Sequence, residues 1–538
     1  MTPPRHAPLA WSSQASIIES LTQTLRAIAG NGVWGRFLIA SDERKARTAM
    51  KQQVAAGAAW TAASNWVEQA VALAVYIAIA RLIGAEAFGV ASMALAFVML
   101  AEVLLRDTLS EGLISKQEAA REDEDAVFWS LIALALIAVG AIMAAAPLVA
   151  RIFAEPEVAP LMQSFAPVCL LIAISGVPTA KLRRNMAFRM LAARAIAGVV
   201  AGGVVGIAMA ANGMGPWSLV GQRVTLVGVN AVLALSGARW LPRSLPARST
   251  LGAVRGLGTR VLALRAMSVA IAQTPAVALG IAMGPKAVAL FSFAARLVEI
   301  ALFLIATPLK RVIQPAAAAV RRAGGDTKAL FQDMTEIAAF AAFASFAGLA
   351  FVGEALVGLM MGEEWRLAGA VIAPLCVGGA IMALTEVQEG YLIGLDRTSA
   401  FLRAIFVEVL VGVLLIGLAS VYGPTAVAGA VALRVALVLP MRVAATLGAE
   451  KIPVRNYLRT LTGPLLAAAG MAGVLTVWRH ATHVRLPDAT YFPATIVIGV
   501  VSFWFFAILM TPATFRRLKV YASGKPQREP GDGNSKSD

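Results

Sequence analysis

From about residue 55 onward the chain alternates long apolar runs with short links rich in glycine, proline and charge. Each run is roughly 17–25 residues, the length a helix needs to cross about 30 Å of hydrocarbon. The pattern predicts fourteen spans, near 55–80, 88–105, 126–150, 159–180, 195–212, 216–236, 261–283, 287–309, 335–360, 367–393, 404–421, 425–440, 460–478 and 491–511. Links such as "NGMGPW" (212–217), "MGPK" (283–286) and "YGP" (422–424) are too short for anything but a turn between neighbouring spans. The expected fold class is therefore all-α and integral to a membrane.

Charge sharpens this picture. Only 14% of the 538 residues are charged and 59% are hydrophobic, far from the composition of a soluble domain. When successive links are assigned to alternating sides, 37 of the 47 Lys and Arg fall on the side that holds both termini, six on the other side and four inside spans. The positive-inside rule then puts both termini in the cytoplasm. The net charge of +16 is thus a topology signal, and a nucleic-acid partner is not expected. Cys169 and Cys376 lie in apolar runs, so no disulfide framework is suggested. The first 50 residues show no signal peptide, which makes the first span an expected uncleaved anchor.

The spans repeat. "GAEAFGVAS" (84–92) aligns with "GPKAVALFS" (284–292), "PVCL" (167–170) with "PLCV" (374–377), and "GPWSLVG" (215–221) with "GPTAVAG" (423–429). Three landmarks in the same order predict two homologous lobes of six spans, with two additional spans at the end. The expected organisation is a cytoplasmic segment (1–50), a first lobe (51–238), an inter-lobe linker (239–260), a second lobe (261–450), two extra spans (451–511) and a disordered tail (512–538). Both lobes start on the same side, so the repeats are parallel and should face one another across a central chamber.

"ARLIGAEAFGVASMALAFVML" (80–100) and "RNMAFRMLAARAIAGVVAGGVVGIAMAANGMGPWSLVGQ" (184–222) resemble Wzx-type polysaccharide transporters. These belong to the multidrug/oligosaccharidyl-lipid/polysaccharide flippase superfamily. The second lobe departs from the pattern, with Phe291 where a Tyr is common and Ala289 where the first lobe has Gly89. The resemblance implies a flippase of the bacterial inner membrane, not an enzyme. Its substrate would be an oligosaccharide on undecaprenyl pyrophosphate, moved from the inner to the outer leaflet for surface polysaccharide biosynthesis. It also implies glycosyltransferases and a polymerase as pathway partners, and a monomer. A small organic-cation exporter and a lipid II flippase are the alternatives within the superfamily.

Charges inside spans are expensive and therefore informative. Arg223, Arg265, Arg296 and Arg434 are such cations, and Asn65 aligns with Arg265 across the repeat. All five are candidates for lining the chamber, where a guanidinium fork suits a pyrophosphate. Arg296 and Glu299 stand three residues apart, so mutual neutralisation is equally open. Glu68, Glu299, Glu386 and Glu389 are candidates for proton or Na⁺ coupling, with Glu408 a further intramembrane acid; Glu386 and Glu389 could also form a salt bridge with Arg397 or Arg403. Pro275 is a candidate hinge in the seventh span. "KLRRNMAFR" (181–189) reads as a topology signal that could also guide pyrophosphate inward.

No Gly-x-x-x-x-Gly-Lys-Ser/Thr loop occurs, so no ATPase and no cofactor is expected. His480 and His483 share a short link without nearby cysteine, which argues against a metal site. Residues 16–30 form an amphipathic candidate for the cytoplasmic surface.

Overall fold

A computed structural model describes residues 33–106, 121–244, 267–395, 397, 399–450, 452–482 and 487–510. Residues 16–30, Arg265, most of the expected linker and the tail lie outside the described residues. Two compact units divide the chain, Met1–Asn65 and Trp66–Asp538, and the second carries the features below.

Among the described residues, twelve helices are long and apolar enough to cross a membrane. In chain order the helices are α1 (Val33–Arg106), α2 (Arg121–Phe153), α3 (Val158–Phe165), α4 (Pro167–Arg184), α5 (Phe188–Ala211), α6 (Trp217–Ala238) and α7 (Met267–Met283). They continue with α8 (Pro285–Arg322), α9 (Thr327–Met361), α10 (Arg366–Gly394), α11 (Ser399–Ala419), α12 (Pro424–Glu450), α13 (Val454–Thr482) and α14 (Asp488–Met510). Gly84 breaks α1 into two arms, which are the first two expected spans. The shorter α7 supplies the seventh, and each of the fourteen expected spans has its helix.

The break at Gly84 has a cause. Its φ of 78° and ψ of 169° lie in a region open essentially to glycine alone. Gly284, its partner across the repeat, adopts φ 82° and ψ −171° and likewise starts a helix. Gly362 and Gly423 repeat the conformation ahead of α10 and α12. These turns all fall at one end of the helix bundle, called here the glycine-turn end.

Small residues let the helices close up. Gly198, Gly202 and Gly206 recur every four residues on α5 and face α6, where a methyl on Gly202 would sit 2.6 Å from the Gln222 carbonyl oxygen. This spacing of small residues is how membrane helices approach without a hydrophobic drive. The two extra spans pack on α9, with Met471, Leu475 and Phe503 in a small core beside Phe340 and Phe343.

Two links differ from expectation. The link expected at 310–334 is mostly helical: α8 runs 38 residues and α9 runs 35. At 1.5 Å per residue these are about 57 and 52 Å long, well beyond the hydrocarbon. Asp326 caps α9 by accepting from the backbone N–H groups of Lys328 and Ala329 at 2.9 and 3.2 Å. The extensions are held by a second core of Ile313, Ala317, Phe331, Tyr391 and Tyr457, separate from the main one. Apolar windows end where charge begins, not where the helix ends. For the same reason α5 starts at Phe188, which brings Arg194 inside a helix and not in the link expected at 181–194.

Candidate functional site

Two cavities open at the end opposite the glycine turns. The first, about 260 Å³, is walled by the first arm of α1, the end of its second arm, α4, α5, α6 and one residue of α8. The second, about 290 Å³, is walled by α7, α8, α10, α11 and α12. Their charges are opposed. Arg106, Arg183, Arg194, Arg223 and Arg296 line the first, against Glu68. Glu299, Glu386, Glu389 and Glu408 line the second, against Arg434 and Arg442.

Helix α8 is the wall between them. Arg296 faces the first cavity and Glu299, one turn later, the second. They form an ion pair at 3.5 Å, and Arg296 also donates to the Gln69 side-chain oxygen of α1 at 3.2 Å. Arg296 therefore holds its own helix neighbour and a group from the other lobe at once.

Arg223 is not free. Its Nε donates to Glu102 Oε1 at 3.1 Å and a terminal nitrogen bonds the other oxygen of the same carboxylate, a two-pronged pair. Glu102 is only 3% exposed and also holds Arg106 at 3.5 Å. Arg434, the counterpart of Arg223 across the repeat, meets Glu408 at 3.5 Å, and Glu408 also bonds Arg442. Each lobe thus builds an Arg–Glu–Arg triplet. The glutamates come from non-equivalent helices, the second arm of α1 in one lobe and α11 in the other.

Glu386 and Glu389 on α10 share Lys310 of α8, at 2.7 and 3.0 Å. Among the described residues the acidic pair thus meets Lys310, a partner that sequence proximity, which offered Arg397 or Arg403, did not suggest. Glu68 lines the first cavity under the field of Arg194 and Arg106, with no ion pair among the described residues. Pro275 lies within α7 and lines the second cavity. Asn65 closes the first compact unit and is half-buried.

Glu102, Arg106, Arg194, Lys310 and Arg442 were not among the candidates read from sequence, whereas Arg183 lies in the 181–189 cluster named there. Glu102 and Arg106 sit at the end of an apolar window and look like a rim. Arg194 carried a usable signal, because "MLAARAIAGVV" (190–200) is apolar on both sides of it.

At the glycine-turn end the cavities are shut. Gly89 packs on the Pro285 backbone. The Glu364 carboxylate accepts from the Ala85 backbone N–H at 3.1 Å, and Arg81 donates to the Met360 carbonyl at 3.5 Å. Tyr76 stacks on Phe293 at 6.0 Å, and Phe88 meets Trp365 edge-on at 5.6 Å. Every one of these contacts joins α1 to α8, α9 or the turn before α10.

Residues 78–369 match a family described as polysaccharide biosynthesis protein. The succinoglycan biosynthesis transport protein ExoT of Rhizobium meliloti (strain 1021) is 22% identical over 324 residues, which cover 59% of this chain and 65% of that protein. The chain thus spans just under two thirds of this curated relative. Among solved structures, lipid II flippase MurJ in an inward closed conformation superposes with a TM-score of 0.70 and 13% identity, over 86% of this chain and 99% of that one. A multidrug resistance MATE family transporter in an inward-facing conformation gives a TM-score of 0.54 and 16% identity, over 71% and 96%. At such identities the likeness to the two structures is one of fold.

Proposed function

Because this chain belongs to the polysaccharide biosynthesis protein family, we propose that this multi-pass membrane protein is a flippase. It moves an undecaprenyl-pyrophosphate-linked oligosaccharide from the inner to the outer leaflet of the bacterial inner membrane. The observation that carries the reading is the first cavity, lined by five arginines, two of them sharing Glu102 and one paired with Glu299, and by the single glutamate Glu68, in a helix bundle closed at the opposite end. A pyrophosphate cannot enter hydrocarbon unaided, and an array of guanidinium groups replaces its lost water with charge-assisted hydrogen bonds. The tail stays in lipid while the head occupies the cavity.

In this reading both termini are cytoplasmic and the glycine-turn end faces outward, following the distribution of Lys and Arg. Opening to the other side separates α1 from the α8–α10 region and closes the cavities, which is alternating access by two lobes. Glu68 of the first cavity and Glu299, Glu386 and Glu389 of the second are assigned to proton or Na⁺ coupling. Outward movement of each net negative charge is favoured by about 2.3 kcal/mol per 100 mV of inside-negative potential, a second source of bias. Glycosyltransferases and a polymerase of the same pathway are the proposed partners.

The acidic second cavity also favours a second reading, export of organic cations. One experiment separates the two. A strain deleted for this gene is scored for surface polysaccharide and for lipid-linked repeat units on the inner leaflet. Stranded complete units, relieved by complementation, support the flippase. Normal surface glycan with altered sensitivity to organic cations supports the exporter.

A further inference from the structure

We infer that Arg194, with the Thr179 hydroxyl beside it, is the primary phosphate anchor of the first cavity. This rests on the flippase reading and assigns a subsite within it.

The cavity's arginines differ in how far their charge is already satisfied. Arg223 and Arg106 share Glu102, and Arg296 is held by Glu299 and Gln69. Arg194 makes no ion pair among the described residues. Among the same residues its one hydrogen bond is a donation from Nη1 to Thr179 Oγ at 2.7 Å, and its buried Nε–H finds no acceptor there. A guanidinium carries five N–H donors, so most of its capacity is unspent. Buried donors left unsatisfied are costly, and an anion that fills them recovers that cost.

The surroundings suit a phosphate. Arg183, one helical turn beyond Thr179 on α4, lines the same cavity and lies near enough to Arg194 for the two charges to repel. Two cations held together favour a ligand with negative charge on several oxygens. Thr179, whose hydroxyl accepts from Arg194 and keeps its own proton to donate, and Asn230, which has a second amide N–H beyond the one on the Leu226 carbonyl, add neutral groups on α4 and α6 that can serve the remaining oxygens. The chemistry belongs to a pyrophosphate, whether lipid-linked or free.

The test uses the full chain in nanodiscs and measures binding of undecaprenyl pyrophosphate and of inorganic pyrophosphate, for wild type and Arg194→Gln, with thermal melting alongside. The expected result is a roughly ten- to hundredfold loss of undecaprenyl pyrophosphate affinity in the variant at unchanged melting temperature. Affinity within twofold of wild type overturns the anchor and leaves the flippase reading standing. A loss seen with inorganic pyrophosphate, when the lipid does not bind wild type at all, keeps the anion site and removes the lipid-linked reading. Wild-type protein provides a check that no folding defect can confound. Undecaprenyl pyrophosphate should protect Arg194 from an arginine-specific dicarbonyl reagent, read by peptide mass, and absence of protection overturns the proposal.

Discussion

Gly89 lies so close to Pro285 that a methyl group added to it would fall 1.9 Å from the Pro285 carbonyl oxygen. The two residues belong to the two lobes and meet where the cavities are shut. No side chain can be accommodated there without the backbones separating. Gly89→Ala should therefore open the glycine-turn end, at a cost of about 1–3 kcal/mol for overpacking. A cysteine introduced at the buried Ala289 reports this with a membrane-impermeant maleimide. Faster labelling in the Gly89→Ala background is expected; equal labelling contradicts the closure.

Glu364 secures the same end by chemistry instead of shape. Its carboxylate caps the arm that starts at Ala85, so Glu364→Ala removes a helix N-terminal acceptor worth about 1 kcal/mol. The variant should also label faster at position 289, and Glu364→Asp, with its shorter reach, should not restore the slow rate. A wild-type rate in Glu364→Ala would show that the contact does not hold the lobes together.

Arg223→Ala strands Glu102, which is 3% exposed, with only the longer contact to Arg106. Removing one partner of a buried pair costs about 3–5 kcal/mol, so membrane abundance and melting temperature should fall. Removing both charges with similar-sized apolar residues, Arg223→Met with Glu102→Leu, should recover most of the loss. If the double variant is no better than the single one, the pair is not what stabilises this site. A transport defect in Arg223→Ala alone would therefore say little about substrate contact.

Glu299 is the opposite case. Its side chain is 62% exposed although its helix is buried on other faces. Glu299→Gln should change stability by no more than about 0.5 kcal/mol. Under the coupling proposal it should nonetheless blunt the response of transport to an imposed proton or Na⁺ gradient. A normal gradient response at normal abundance removes Glu299 from the coupling role.

Much of this architecture was legible in the sequence, because the properties that determine it are local. Apolar windows marked each span, and the shared Gly84 and Gly284 segments marked the repeat, where matched sequence produces the same glycine-only backbone. The opening of α8 was less legible: Arg296 and Glu299 do pair, as spacing permits, but Arg296 also reaches Gln69, 227 residues away. The partners of charge were not legible. Nothing near Arg223 in sequence points to Glu102, nor anything near Glu386 to Lys310, since each pair is set by which helices become neighbours. Window ends also misled, placing Arg194 in a link when two more turns of α5 precede the apolar stretch.

The central claim is transbilayer movement of a lipid-linked, anionic glycan. It is tested most directly by reconstituting the purified protein into liposomes holding an undecaprenyl-pyrophosphate-linked oligosaccharide on both leaflets, then adding a membrane-impermeant glycan-modifying enzyme outside. Protein-free vesicles should stop at the outer-leaflet fraction, while vesicles with the wild-type chain should proceed towards complete modification. Modification that halts at the same fraction with and without the protein, in intact vesicles, would contradict the account.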